Sequence, residues 1–189
     1  KRAPSPATTR SQVAASWQPA AVAMPWTWAI TGLWMAWIVS ISTVQVSNDA
    51  NLGDVAGTLS LQGSTLQAAA SFTSARDILV GSPTSNRIDT QGFDVTLTGT
   101  IGNGANNQAG NFLDKIGSGT LTLTGANIYA NRTVISGGTL ALAGAGRAGV
   151  GNIIVGAGTV FDISQTNTRA RAIQLNTGPA RTIALGPKV

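Results

Sequence analysis

The side chains of this sequence that could carry out chemistry are mainly its seven aspartates, since the chain contains no glutamate, histidine or cysteine. That composition removes the usual general base, the thiolate nucleophile and the commonest ligands of transition metals. Arg87, Asp89 and Asp94 form the one local group of the kind that polysaccharide lyases and hydrolases use. A solvated turn explains the same group, and we prefer that interpretation. We therefore predict no catalytic, cofactor-binding or metal-binding residues, no cofactor, and a protein that is not an enzyme.

The remaining motif-like features point to turns and not to ligand sites. Glycines in Gly-x-Gly spacing occur at 102–104, at 117–119 and further along the chain, but none follows a strand and opens a helix, as a dinucleotide site requires. The formal net charge is +5, and Lys1, Arg2 and Arg10 supply three of the basic residues. Because no basic stripe with interleaved aromatic residues follows, the composition argues against nucleic-acid binding.

One phrase recurs along the part of the chain that must position these side chains. Residues 57–63 read Gly-Thr-Leu-Ser-Leu-Gln-Gly, residues 119–125 read Gly-Thr-Leu-Thr-Leu-Thr-Gly, residues 138–144 read Gly-Thr-Leu-Ala-Leu-Ala-Gly, and a looser copy begins at Gly158. The last three copies start 19 and 20 residues apart. The alternation indicates strands, and a fixed period of this size is typical of stacked repeats. The sequence therefore predicts an all-β fold built as a β-solenoid.

Equivalent positions in neighbouring coils of such a fold stack about 4.8 Å apart, so inward side chains should form columns. One column is expected to contain Leu59, Leu121, Leu140 and Val160. The next is expected to contain Leu61, Leu123, Leu142 and Asp162. Because a charged residue breaks the second column, we expect the last coil to be shifted by one residue, with Ile163 inward.

Two segments between the predicted strands are less regular. Residues 99–111 are rich in glycine and asparagine and are predicted to be a loop. Residues 68–75 are compatible with a short helix, although no residue caps it well.

The N-terminal part of the chain differs in composition from the repeats, which are assigned to residues 43–189. Residues 1–16 are polar and basic and are predicted to be a disordered leader. Residues 17–42 contain all five tryptophans, and no charge occurs in 20–41, so this stretch is long enough for an apolar helix in contact with a membrane. Three interpretations stay open: an export signal or anchor, a buried or interfacial segment, and a non-native sequence from a frameshift or misplaced start.

One stretch carries a family resemblance. Residues 113–127 read Leu-Asp-Lys-Ile-Gly-Ser-Gly-Thr-Leu-Thr-Leu-Thr-Gly-Ala-Asn, and Tyr129 follows. After a turn, residues 133–136 read Thr-Val-Ile-Ser and residues 137–140 read Gly-Gly-Thr-Leu. In order and in spacing, this phrase resembles the autotransporter-associated β-strand repeat of type V secretion proteins.

The resemblance extends less closely over residues 43–165, and the phrase departs from the family pattern at one turn. Where the family normally has small residues after the tyrosine, this chain has Ala130-Asn131-Arg132. A positive φ at an arginine would be costly, so we expect a differently shaped turn or a weakened array there.

The resemblance implies a right-handed parallel β-helix that a C-terminal outer-membrane β-barrel, the translocator, carries to the bacterial surface. It further implies a non-catalytic passenger domain, at the cell surface, in the outer membrane or secreted, that acts as a scaffold or adhesin towards host surfaces or glycans. The alternatives are a carbohydrate-active β-helix enzyme and a fragment anchored in a membrane through residues 20–41. Since the last predicted strand has no polar cap, we expect a fragment of a longer array.

Overall fold

The chain is a parallel β-solenoid of about five turns, which confirms the predicted all-β class. The structure, a computed structural model, describes residues 37–40, 42–81, 85–104, 112–166, 173–175 and 180–185. All strand pairs that join its sheets are parallel, and one short 3-10 turn lies at Asp49–Leu52. Parallel stacking follows from the repeat, because each coil returns the chain in the same direction over the coil before it.

The strands of the described residues form three sheets that run along the solenoid. The first sheet contains β1 (Trp37–Ser40), β3 (Leu59–Gln62), β6 (Ile78–Gly81) and β9 (Ile101–Asn103). The second contains β2 (Thr43–Val46), β4 (Thr65–Ala68), β7 (Asn86–Asp89), β10 (Phe112–Ile116), β12 (Arg132–Ile135), β14 (Ile153–Val155) and β16 (Ile173–Leu175). The third contains β5 (Phe72–Ser74), β8 (Val95–Leu97), β11 (Thr120–Leu123), β13 (Thr139–Gly144), β15 (Val160–Thr166) and β17 (Thr182–Ala184).

The core lies between the sheets and consists of the alternate, inward residues of each strand. In the third sheet Leu121 pairs with Leu140, and Leu123 pairs with Leu142, as the repeated phrase predicts. All four leucines are buried. The two columns are thus confirmed for the two best copies of the phrase.

The copy at residues 57–63 does not belong to these columns. Leu59 and Leu61 lie on β3 in the first sheet, where they pair with Ile78 and Val80. The predicted stacking of Leu59 on Leu121 is therefore wrong. Each face of the solenoid demands the same alternation of inward and outward residues, so the phrase alone does not specify the face.

The last copy is shifted by one residue, as predicted. Phe161, and not Val160, follows Leu140 in the inward column, and Asp162 pairs with the outward Ala141. The register then shifts before Ala143, and Ile163 packs partly buried against the core. The shift keeps the carboxylate out of the apolar interior, where an unpaired charge is costly.

Two predicted irregular segments contain strands. β9 lies inside the predicted loop, and β5 lies inside the stretch that was compatible with a helix. β9 reads Ile-Gly-Asn and pairs with β6, while β5 pairs with β8. Pairing with a neighbouring coil determines these three-residue strands, because they are too short to show a period of their own.

The paired strands begin at Trp37, inside the segment that composition separates from the repeats. β1 pairs in parallel with β3 over all four of its residues. Trp37–Ser40, near the end of the segment 17–42 that was compatible with an apolar helix, is a strand. The predicted disordered leader at 1–16 and residues 17–36 of the apolar segment lie outside the described residues, so the proposed domain division stays a prediction. Among the residues that the structure describes, no helix is long and apolar enough to cross a membrane.

Truncation of Leu123 tests the importance of the column. Leu123 is fully buried and stacks between Leu97 and Leu142. We expect Leu123→Ala to lower the free energy of unfolding by about 3 kcal/mol, within the range for buried leucines, because the coils above and below hold the cavity open. Denaturant unfolding measures this loss. The neighbouring outward substitution Thr122→Ala should cost less than about 0.5 kcal/mol, and equal losses in the two variants would contradict the assigned register.

Candidate functional site

The charged group considered for polysaccharide chemistry is engaged in bonds along the solenoid wall. Asp89 Oδ2 accepts hydrogen bonds from Gln67 Nε2 at 2.9 Å and Gln91 Nε2 at 3.1 Å. Asp94 Oδ1 accepts one from the Thr120 amide of the next coil at 3.3 Å. Arg87 is exposed on the outer face of β7. In the part of the chain that the structure describes, no three acidic residues gather as a metal site would require.

Lys115 lies in a column of inward, buried residues on the second sheet. The sequence did not indicate this position. Its strand partners on the second sheet are Ile88 and Ile135, both fully buried, and Lys115 itself is 1% exposed. Its ammonium group donates to the backbone oxygens of Ile116 at 3.0 Å, Gly117 at 2.9 Å and Gly137 at 2.9 Å. The aliphatic stem therefore replaces an apolar side chain, while the charged end binds the corners of two successive coils.

The protonation of Lys115 matches this geometry. Burial lowers the pKa of its ammonium group to about 8, and the charges of Asp89 and Asp114 oppose part of that decrease. At neutral pH the group is therefore mostly protonated, and an ammonium ion has three N–H donors for the three carbonyl oxygens. Asp114 in turn accepts a hydrogen bond from Ser136 Oγ at 2.6 Å.

The glycines of the same phrase allow the coils to approach each other at a corner. Gly117 adopts a φ of +79°, and a Cβ there would lie 2.5 Å from the Asp89 carboxylate. A Cβ on Gly119 would lie 2.6 Å from the Phe93 amide nitrogen and closer still to the Phe93 oxygen. Gly119 therefore lies at a corner where only a glycine fits, because the backbones of two coils are in contact there.

Asn127 connects three coils. The residue is fully buried, and its Oδ1 accepts a hydrogen bond from the Ile101 amide of the preceding coil at 2.7 Å. Its Nδ2 donates to the Arg147 oxygen of the following coil at 2.8 Å. The two ends of one side-chain amide thus bridge the coils on either side.

Tyr129 forms a further polar contact of the interior. Its hydroxyl lies 2.6 Å from Thr133 Oγ1, which itself lies 3.1 Å from the Ala148 oxygen. Since a carbonyl only accepts, Thr133 donates to Ala148 and the Tyr129 hydroxyl donates to Thr133. Burial raises the pKa of this phenol far above its ordinary value. A Cβ on Gly149 of the next coil would lie 2.6 Å from the tyrosine ring, so a glycine is needed above the ring.

The turn that departs from the family pattern avoids the expected strain. Arg132 begins β12 as a strand residue, and its guanidinium carbon lies 5.0 Å from the centre of the Phe112 ring on β10. Among the non-glycine residues described, Gln91 alone has a positive φ. The arginine is thus placed on the outer face with a cation–π contact, and its backbone avoids the positive φ that would be costly there.

A second polar cluster, which the sequence did not reveal, holds the turn at Asp49–Leu52. Arg76 is 3% exposed, and its Nε donates to Asp49 Oδ1 at 2.9 Å. Its Nη1 donates to the oxygens of Asp54 at 2.7 Å and Gly57 at 3.0 Å. Burial alone would favour the neutral acid, but the hydrogen bonds from Arg76 and Ser74 and the Arg76 charge hold the pKa of Asp49 below its ordinary value.

Because of this cluster, the free energy of unfolding should decrease at acidic pH. Because the pKa of Asp49 is lower in the folded chain, its contribution is complete above the ordinary value of 3.8 and is lost as the pH falls through the folded value. We expect Asp49→Asn to cost about 2 kcal/mol at pH 7 and progressively less as the pH falls below 3.8. Thermal melting from pH 2 to 7 measures both. A cost of D49N that did not fall between pH 7 and pH 2 would contradict the ion pair.

The comparison with known families agrees with this geometry. Residues 113–142 match the family model of the passenger-associated-transport-repeat. No curated protein and no solved structure matches the chain significantly. The matched segment contains Lys115, Gly119, Asn127 and Tyr129, whose contacts join neighbouring coils. The resemblance of this segment to an autotransporter passenger repeat is therefore confirmed, and the parallel β-solenoid that carries it fits an autotransporter passenger domain.

Proposed function

We propose that the chain is a non-catalytic segment of an autotransporter passenger, displayed on the bacterial surface as a scaffold that presents adhesive surfaces. One observation carries the proposal. The polar side chains of the matched repeat bind backbone groups of neighbouring coils, as Lys115 does at Gly137 and Asn127 does at Ile101 and Arg147. Side chains committed in this way hold the stack together and are not free to act on a substrate.

The outer wall supports a contact role. Gln45, Gln67 and Asp89 form a hydrogen-bonded ladder along the second sheet, with Gln45 Nε2 at 3.0 Å from Gln67 Oε1. Such a ladder presents amide and carboxylate groups at regular intervals along the axis, which suits host surfaces or glycans. The partner that the proposal requires is an outer-membrane β-barrel translocator, and the location is the cell surface or the medium after release.

Surface display can be tested with the natural gene in its own bacterium. An epitope placed in the exposed turn around Val55, which is 66% exposed, should be accessible to antibody on intact cells and sensitive to added protease. A cytoplasmic protein serves as the lysis control. An epitope that becomes accessible only after the cells are broken would overturn surface display.

The adhesive and non-catalytic parts need separate measurements. Cells that display the chain should bind host cells or immobilised glycans better than cells in which the gene is deleted. If cells with and without the gene bound equally well, the adhesive role would be contradicted and only the scaffold role would stay. The purified chain should release no reducing or unsaturated sugars from bacterial and plant polysaccharides, and release that Asp89→Asn abolishes would favour the enzyme alternative instead.

A further inference from the structure

The third sheet ends one coil earlier than the other two sheets. The first and second sheets begin with β1 and β2, whereas β5 is the outermost third-sheet strand on that side, among the strands that the structure describes. From β4 onwards, each second-sheet strand is followed along the chain by a strand of the third sheet. After β2 that place is taken by residues 47–58, which contain the 3-10 turn Asp49–Leu52 and no strand. We call residues 47–58 the edge loop.

The edge loop lies against the free side of β5. The Phe72 amide donates to the Asp94 oxygen at 3.1 Å, and the Thr98 amide donates to the Ser74 oxygen at 2.8 Å, so Phe72 and Ser74 direct backbone groups towards β8. Consecutive residues of a strand direct these groups to opposite sides. The N–H and C=O of Thr73 therefore face the edge loop, where no described strand pairs with them. Such an edge is a template for a strand from another chain.

Two side chains from β5 and the residues after it hold the edge loop in this place. Ser74 Oγ donates to Asp49 Oδ1 at 2.5 Å. The Arg76 guanidinium binds both oxygens of the same carboxylate, with Nε at 2.9 Å and Nη2 at 3.1 Å from them. Its bonds to the oxygens of Asp54 and Gly57 reach the far end of the loop. An arginine suits this position because its planar group carries five N–H donors in a fixed arrangement.

The edge loop also covers the end of the core and offers no new edge of its own. Leu52 is 2% exposed and belongs to the buried apolar cluster of the solenoid. The amides of the loop bond within it, from Gly53 to the Ala50 oxygen at 3.1 Å and from Gly57 to the Asp54 oxygen at 2.9 Å. A turn that uses its amides in this way cannot pair as a strand with a further chain.

We propose that the edge loop prevents a second copy of this chain from adding a strand to β5, and that Arg76 keeps the loop in place. A second copy is the partner to be excluded because every molecule carries the same edge. Two uncovered edges can therefore pair with each other about a twofold axis. The apolar end of the core, which Leu52 covers, would add to that contact. The inference is independent of surface display, because it needs only the folded solenoid.

The test is the association of the purified chain, measured by analytical ultracentrifugation over a range of concentrations. Arg76→Met removes the bonds to the edge loop but keeps an unbranched side chain, and it should associate at a several-fold lower concentration than the wild-type chain. Asp49→Ala releases the loop from the other side of the ion pair and should act in the same direction, which keeps the test decisive if R76M does not fold. Circular dichroism and thermal melting establish which variants are folded.

Two further variants separate pairing at β5 from general loss of stability. Thr73→Pro, added to R76M or D49A, removes the N–H that faces the edge but no bond to β8, and it should restore the association of the wild-type chain. Leu123→Ala weakens the same sheet on β11, with β8 between it and β5, and should associate no more readily than the wild-type chain. Folded R76M and D49A that associate no more than the wild-type chain would overturn the proposal. Equal association in L123A, or association that T73P does not reduce, would also overturn it.

Discussion

Gly119→Ala should lower the free energy of unfolding by about 4 kcal/mol or more, the size that marks a specific structural fault. A methyl group at this position would meet the Phe93 backbone of the preceding coil, with the amide nitrogen at 2.6 Å. The Phe93 atoms that the methyl group would meet belong to the backbone, so no change of side-chain rotamer can relieve the contact. The two coils would have to separate, and the hydrogen bond from the Thr139 amide to the Gly119 oxygen lies in the same corner.

Gly144→Ala is the matched control for this substitution. Gly144 also lies in a Gly-x-Gly motif and has a φ of +58°, but a Cβ there meets no atom within 4 Å. Its cost is limited to the left-handed backbone conformation, about 1–2 kcal/mol. Chemical denaturation of both variants separates the two causes. If G119A were no more destabilised than G144A, contact between coils would not explain the glycine at position 119.

Lys115→Met should also cost about 4 kcal/mol at neutral pH. Methionine fills most of the volume of the stem but cannot donate to the oxygens of Gly117 and Gly137. Each buried carbonyl left without a donor costs about 1–3 kcal/mol. The oxygen of Ile116 is less affected, because it also accepts the Thr90 amide at 3.1 Å. Equilibrium unfolding at pH 7 measures the difference.

Ile135→Met provides the control in the same column. Ile135 is the strand partner of Lys115 in the next coil, and an apolar exchange of similar volume should cost less than about 1.5 kcal/mol. Both variants alter packing, but only K115M also loses hydrogen bonds. Similar losses for K115M and I135M would mean that the ammonium group contributes little.

The pH dependence of Lys115 has a definite sign. Its pKa falls from 10.5 to about 8 on folding, so between these values the unfolded chain binds the proton more strongly. Raising the pH through this window removes the cost of burying a charge, and the wild-type chain gains stability relative to K115M. A difference in unfolding free energy between the two proteins that shrank from pH 8 to 10.5 would contradict a buried lysine with a lowered pKa.

Much of the architecture could be predicted from the local alternation of apolar and polar residues. The errors of that prediction share one cause. The strands of the repeated phrase were found because alternation is visible within four residues, as at Thr120–Leu123. The placement of Leu59 failed because three sheets share that alternation. The strand Ile101–Asn103 was missed because pairing with its neighbour, and not its own sequence, makes it extended.

The polar interior was harder to predict than the strands. Arg76 and Asp49 are 27 residues apart in sequence, and nothing near either residue indicates the other. Lys115 stood in a phrase recognisable as a repeat, yet the phrase does not say that the lysine points inward. Its position two residues before a corner glycine is the signal that could have suggested a bond to the corner carbonyls.

The sequence by itself determined the all-β repeat and the shift of the last copy, because side-chain alternation and the cost of burying a charge are local properties. Only the tertiary structure decided which sheet each strand joins and which coil each buried polar group reaches. Coil length is the physical reason: paired positions are 19 residues apart at Leu121 and Leu140 but 27 apart at Arg87 and Asp114. A register that varies in this way is set by packing between coils, which no single coil encodes.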